Sequence, residues 1–135
     1  MIKELSKYIE NNTPLILGLT LHAGKHPPKS NSASVTVEEP VPGIRDANPG
    51  LTDRGQTPIR ILVCGSVGTG YFPVRDTAVG IFNLLHGKMQ ITLPTVDSGP
   101  SYLVNMVCND PQYIGPDERK RDTFVVYLML ERAEN

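Results

Sequence analysis

Alternating hydrophobic and polar positions predict two neighbouring strands near the end of the chain. Residues 102–108 and 123–130 are rich in branched and aromatic side chains, and a polar stretch with two prolines and a glycine separates them. This pattern is typical of a β-hairpin with a long connection. Both faces of the second strand are apolar, since Phe124 and Val126 alternate with Val125 and Tyr127. We therefore expect that strand to lie in the centre of a sheet or at a subunit contact.

Two segments have the hydrophobic spacing of amphipathic helices. Residues 2–11 place four large hydrophobic side chains at helical intervals before the stop signal Asn11-Asn12-Thr13-Pro14. Residues 74–86 follow Pro73, which suits a first helical turn, and precede Gly87, which suits the position after a last turn. The second helix should bury one face, formed by Ala78, Ile81, Phe82 and Leu85.

Four further segments have the composition and alternation of strands. Residues 15–22, 33–38 and 59–64 precede the second helix, and residues 89–93 follow it and end before Pro94. The predicted order is therefore α-β-β-β-α-β-β-β. The chain has 135 residues, which is the usual size of one domain, so we expect a single domain over residues 1–135.

A long loop is predicted between the second and third strands. Prolines and glycines crowd into residues 24–58, and the interval 40–58 has no sustained hydrophobic period. Loops of this length in a compact domain are usually functional, or disordered in isolation.

Composition narrows the classes of function. The net charge of −1 provides no excess of positive charge for holding nucleic acid through its phosphates, so sequence-independent DNA binding is not expected. No apolar run approaches the roughly 20 residues that span a bilayer, and the first residues carry charges where a signal peptide would be apolar. We expect the protein to be made and kept in a cytoplasm.

The cysteines and histidines do not have the spacing of a metal site. Cys64 and Cys108 lie in predicted strands without a CxxC motif, which favours buried free thiols over a disulfide. His22 and His26 are four residues apart, but the glycine and prolines around them oppose the helix that would bring them to one metal ion. His86 is explained by the favourable interaction of an imidazolium with a helix C-terminus.

The glycine cluster Gly65–Gly70 lies between a strand and a helix, where an anion can bind. Its spacing is GxxGxG instead of GxGxxG, and no Gly-Lys-Ser/Thr follows, which favours a flexible connection. The aspartates mostly suit turns and helix starts, and Ser66 and Ser98 lack a GxSxG elbow. We expect no catalytic residue, cofactor or metal. A small cytoplasmic enzyme or module that binds an anion or nucleotide through residues 65–70 stays as the alternative.

The segment Arg119-Lys120-Arg121 predicts a basic tip on the last hairpin. Acidic residues flank it, so a solvated turn is one interpretation. A contact to an acidic neighbouring subunit or to passing DNA is the other.

Several of these segments together resemble a known family. They are a helix followed by strands at the N-terminus, the strand Ile59–Cys64 leading into the helix Val74–His86, and a final strand pair joined by Asp110-Pro111-Gln112-Tyr113-Ile114-Gly115-Pro116-Asp117-Glu118-Arg119. With this size and order, the chain resembles the tail-terminator and tail-completion proteins of long-tailed bacteriophages, also called minor capsid proteins, which include the lambda terminator. The similarity covers residues 59–132 best. It is loose over residues 1–58, where the loop 40–58 is longer than the family's pattern.

The resemblance implies an α+β fold in which two helices pack on one face of a mixed or antiparallel sheet. It also implies a non-enzymatic structural role in the virion, after assembly in the host cytoplasm. The protein would form a six-fold ring that ends polymerisation of the tail tube and presents a surface to the head connector or neck protein. DNA would pass through the lumen without sequence-specific binding.

A closed ring needs two different surface patches on each subunit, because its interfaces are heterologous. An exposed apolar strand face and adaptable loops are the candidates for these patches. A regulatory domain that dimerises through its edge strands is a third possibility. The candidate interface residues are Val125, Tyr127 and Met129 on the last strand, Arg119, Lys120 and Arg121 at the basic tip, and Arg45, Asp46, Asp53 and Arg54 in the long loop.

Overall fold

The computed structural model of the chain describes residues 2–12, 20–23, 33–38, 56–66, 70–99, 101–117 and 120–132. These residues form two helices and seven strands. The helices are Ile2–Asn12 (α1) and Tyr71–Leu85 (α2). The strands are Thr20–Ala23 (β1), Ser34–Glu38 (β2), Gln56–Cys64 (β3), Ile91–Leu93 (β4), Tyr102–Cys108 (β5), Gln112–Pro116 (β6) and Asp122–Arg132 (β7).

The strands form one mixed sheet with the order β1-β2-β3-β7-β5-β4. β1 and β2 are parallel, and the other pairs are antiparallel. β7 is the central strand, as predicted. It pairs with β3 along one edge, whereas its other edge pairs first with β6 and then with β5.

Both helices pack on the same face of this sheet, as expected for the α+β fold. Leu5 and Ile9 of α1 are fully buried there, and so are alternate residues of the sheet such as Ile61 and Val126. α2 contributes Val74, Ala78, Ile81 and Leu85 to the same core. Burial of these aliphatic and aromatic side chains is the main force that holds the two layers together.

The connection between β5 and β7 contains a strand that the sequence pattern did not predict. β6 pairs with the start of β7, and a bulge between Tyr113 and Gly115 interrupts their register. Gly115 has a φ of 96°, a conformation that glycine adopts without steric cost. β6 is mostly exposed and contains a glycine and a proline, so its stability comes from pairing with β7 and not from a hydrophobic pattern of its own.

Several predicted boundaries were wrong by a few residues. β3 begins at Gln56, so the last three residues of the predicted loop 40–58 belong to a strand. Pro58 is tolerated because β2 ends at Glu38, opposite Arg60, before it reaches the proline. β4 begins at Ile91 instead of Met89, because Gln90 has a positive φ of 54°. β1 includes Ala23, which was placed in a loop, while residues 15–19 lie outside the described part of the chain.

Candidate functional site

A row of apolar side chains crosses the face of the sheet opposite α1 and α2. Met129 of β7 lies opposite Pro58 of β3 on one side and opposite Val107 of β5 on the other. Tyr127 lies two residues before Met129 on the same face. The exposed fractions are 39% for Met129 and Tyr127 and 55% for Val107. We call these four residues, Pro58, Val107, Tyr127 and Met129, the sheet patch.

Val125 was predicted to belong to this surface, and that prediction was wrong. It faces the same way as Tyr127, but only 1% of it is exposed. Its neighbours on this end of the face, Thr36, Cys64 and Thr123, are also buried. On this face the side chains are therefore buried around Val125 and exposed around Met129.

Charged side chains border the sheet patch at two ends. Arg60 lies opposite Tyr127, and its guanidinium forms an ion pair with the Glu38 carboxylate. The Arg60 Nε donates a hydrogen bond of 2.6 Å to Glu38 Oε1. Glu131, which is exposed, follows Met129 on the same face of β7. The patch thus has an arginine beside Tyr127 and a carboxylate beyond Met129.

A second surface is a concave groove on the helix side of the sheet, which we call the α2 groove. Its volume is about 350 Å³. Residues of α2, residues of the segment from Asp110 to Tyr113, and Phe124 of β7 surround it. The lining residues are Tyr71, Arg75, Val79, Phe82, Asn83, Asp110, Pro111, Tyr113 and Phe124.

Three aromatic rings support one end of the α2 groove. Tyr71, Tyr113 and Phe124 form a triangle with ring centroids 5.1 to 5.3 Å apart, in the tilted and edge-on geometries that aromatic pairs prefer. The Tyr113 hydroxyl donates a hydrogen bond of 2.7 Å to Asp122 Oδ1, and this bond raises the pKa of the phenol. Phe72, which packs edge-on against Tyr71, is 69% exposed. The groove therefore has a rigid aromatic end with apolar surface beside it.

The basic tip has a different structure from the one predicted. Arg121 is only 1% exposed, so the prediction of a solvated or partner-facing Arg121 was wrong. Its Nε donates a hydrogen bond of 2.7 Å to Asp117 Oδ2, and its backbone amide donates one of 2.9 Å to Asp117 Oδ1. The Asp117 carboxylate pairs with the guanidinium and so offsets the free-energy cost of burying a charged group. Lys120 is exposed, and Arg119 lies outside the described residues.

The remaining interface candidates, Arg45, Asp46, Asp53 and Arg54, also lie outside the described residues. Their role stays a prediction. Of the two histidines weighed as metal ligands, His22 is described only as a backbone position in β1, and His26 is not described. Among the described residues there is no group of three histidine, cysteine or acidic side chains that could hold a metal ion.

Both cysteines are buried free thiols, as predicted. Burial raises the pKa of Cys108 to about 12, and burial also raises the pKa of Cys64. The Cys64 Sγ lies 3.4 Å from Thr123 Oγ1 and donates to Asp117 Oδ2 at 3.7 Å. Since the thiolate is the nucleophile in cysteine chemistry, this environment disfavours a reactive role for either residue.

His86 connects the end of α2 to β5. Its Nδ1 accepts a hydrogen bond of 3.0 Å from the backbone amide of Cys108, and its ring stacks on Phe82 with centroids 4.8 Å apart. His86 therefore joins the end of α2 to β5 through its side chain, and its interaction with the helix C-terminus stays a prediction.

The glycine segment before α2 is described only in part, because residues 67–69 lie outside the described chain. The Gly65 amide donates a hydrogen bond of 3.0 Å to the carbonyl of Asp122, so it is committed to the sheet. Gly70, with a φ of 88°, is the residue before the first turn of α2.

Comparison with protein-family models, with curated proteins and with solved structures finds no match to this chain. No helix within the described ranges is long and apolar enough to cross a membrane. The sheet patch and the α2 groove are therefore the features from which a function can be argued. Sequence reasoning found Tyr127 and Met129 of the first surface and none of the groove residues as a site.

Proposed function

We propose that this protein is a structural component of a long-tailed phage, which caps the tail tube, ends its polymerisation and joins the tail to the head. The observation that supports the proposal best is the sheet patch on the central strand. Exposed apolar residues that lie side by side across three strands are uncommon on soluble monomers unless they bind a partner. Tyrosine and methionine are also enriched in the cores of protein interfaces.

The second surface supports a ring in particular. The sheet patch and the α2 groove lie on opposite faces of the sheet, and they differ in shape. Heterologous contacts join two different patches, and they close into a ring when the rotation between subunits allows it. We propose a hexameric ring, with the tail tube protein on one side, the head connector or neck protein on the other, and DNA passing through the lumen.

Self-association of the purified full-length chain tests the ring. We expect sedimentation velocity to show concentration-dependent oligomers and negative-stain images to show rings. Met129→Lys should weaken association by at least about tenfold, because it places a charge in the apolar centre of the contact. Asn11→Lys, which adds the same charge on the exposed side of α1, is the matched control and should associate like the wild type.

The capping activity needs a separate test. Addition of the wild-type chain to polymerising tube protein from the same phage should stop growth and leave a ring at one tube end, while Met129→Lys should leave tubes growing. A wild-type chain that stays monomeric at every concentration and neither binds nor shortens tubes would refute the proposed function.

A further inference from the structure

We propose that the α2 groove of one copy receives the sheet patch of the next copy, with Arg75 of the first copy paired to Glu131 of the second. This inference rests on the proposed function, because it specifies the contact that builds the ring. It assigns the α2 groove as the acceptor half of the subunit interface and the sheet patch as the donor half.

The dimensions of the two surfaces match. Tyr71, Arg75, Val79 and Phe82 recur every three or four residues, and with Asn83 next to Phe82 they form one stripe along α2. At 1.5 Å per residue, this stripe is about 18 Å long. Tyr127, Met129 and Glu131 lie on one face of β7, and at about 3.3 Å per residue they span about 13 Å along the strand. This face of β7 can therefore lie along the groove.

The chemistry of the two surfaces also matches. Four aromatic rings, Tyr71, Phe82, Tyr113 and Phe124, line the α2 groove. Methionine makes favourable contacts with aromatic rings, and its flexible side chain fills irregular gaps. Met129 is the central residue of the row. We therefore place Met129 against the aromatic end of the groove, with Val107 and Pro58 beside it.

Charge complementarity fixes the orientation of the docked strand. The Arg75 side chain is half exposed, and its guanidinium lies 3.9 Å from the Asp76 carboxylate, at the limit of an ion pair. Glu131 is two residues beyond Met129 on the same strand face, which is about 7 Å along the strand. Arg75 is one helical turn from Tyr71, so a strand with Met129 near Tyr71 brings Glu131 within reach of Arg75.

A symmetric contact between two sheet patches is the competing arrangement. It would pair Met129 with the same surface of a second copy and would end at a dimer. It would also leave Tyr71, Phe72 and Tyr113 exposed in the complex. The head-to-tail contact covers the sheet patch and the α2 groove of every copy in a closed ring.

Charge reversal tests the assigned pair. We expect Arg75→Glu and Glu131→Arg each to weaken self-association by about tenfold, because each variant places like charges opposite one another. The double variant, which restores opposite charges in every contact, should associate within about threefold of the wild type. Lys88→Glu has the same charge change as Arg75→Glu at an exposed position away from the groove, and it should have no effect.

The outcomes separate the pairing from the proposed function. If rings form but neither single variant weakens them, or if the double variant fails to recover, the assigned contact is wrong and the ring itself stands. If the wild-type chain forms no ring and does not cap tubes, the proposed function is wrong as well. Thermal unfolding of each variant distinguishes loss of the ring from loss of the fold.

Discussion

Met129 and Val107 lie directly opposite each other on antiparallel strands, on the face of the sheet opposite α1 and α2. Both side chains are exposed, although Met129 belongs to the central strand of the sheet. The solvent face of an antiparallel sheet is normally polar, so exposed apolar side chains on the open face of this central strand indicate a surface that is covered in an assembly.

Val107→Lys should weaken self-association, because it places a charge beside Met129 in the apolar row of the sheet patch. The side chain is 55% exposed in the single chain, so the substitution leaves the core intact. We expect the melting temperature to change little, because exposed substitutions usually alter stability by less than about 0.5 kcal/mol. Sedimentation velocity and thermal unfolding of the same sample check both statements. Equal association of variant and wild type would exclude Val107 from the contact.

Asp117→Asn should destabilise the fold by about 3 kcal/mol, because it leaves the buried Arg121 guanidinium without its carboxylate. Urea unfolding measures the loss. Lys120→Ala removes a charge from the same turn at an exposed position, and it should cost less than about 0.5 kcal/mol. Similar losses in both variants would show that the buried pair does not hold the turn.

The buried thiol of Cys108 should make stability fall at high pH. Its pKa is raised from 9.0 to about 12 in the folded chain, so between these values the unfolded chain releases a proton that the folded chain keeps. The free energy of unfolding should therefore be unaffected by this group below pH 9 and should decrease by about 1.4 kcal/mol per pH unit above it. Cys108→Ala should reduce that slope. An unchanged slope in the variant would assign the decrease to other groups.

His86→Phe should destabilise the protein by about 1 to 2 kcal/mol. The phenyl ring can keep the stacking on Phe82, but it leaves the Cys108 amide without its acceptor. His86→Asn is the matched variant, because its carbonyl oxygen can accept the same hydrogen bond, and it should cost less. Denaturant unfolding compares the two. A larger loss for asparagine than for phenylalanine would mean that stacking, and not the hydrogen bond, connects α2 to β5.

Neither phosphate nor ATP should raise the melting temperature. The Gly65 amide already donates a hydrogen bond to the Asp122 carbonyl, so it is not available to bind an anion. A ligand that binds the folded state stabilises it in proportion to the logarithm of its concentration over its dissociation constant. A clear shift at millimolar ATP in a monomeric sample would favour the anion-binding alternative over the structural one.

The sequence predicted those parts of the fold in which hydrophobic residues recur with a regular helical or strand spacing. The core face of α2 and the central position of β7 follow from hydrophobic spacing, and both are confirmed. α2 starts at Tyr71 instead of Val74, because Pro73 lies in the first turn, where a missing amide breaks no helical hydrogen bond. The earlier start is what places Tyr71 and Phe72 on the helix.

Other features depend on contacts that no local pattern encodes. β6 exists because it pairs with β7, and Arg121 is buried because its turn brings it onto Asp117. The α2 groove needs both the early start of α2 and the presence of β6, since Tyr71 and Tyr113 form its aromatic end. Tyr71 and Tyr113 are far apart in the sequence, and only their contact in the folded chain forms this surface.

Cysteine cross-linking between two variants tests the head-to-tail contact most directly. Tyr71→Cys places a thiol at the aromatic end of the α2 groove, where Met129 of the next copy is placed, Met129→Cys places one in the sheet patch, and the native cysteines are buried. Under mild oxidation, a mixture of the two variants should give a cross-linked dimer that contains one copy of each, while each variant alone should stay uncross-linked. Cross-linking of Met129→Cys with itself, and none in the mixture, would show a symmetric dimer and contradict the account.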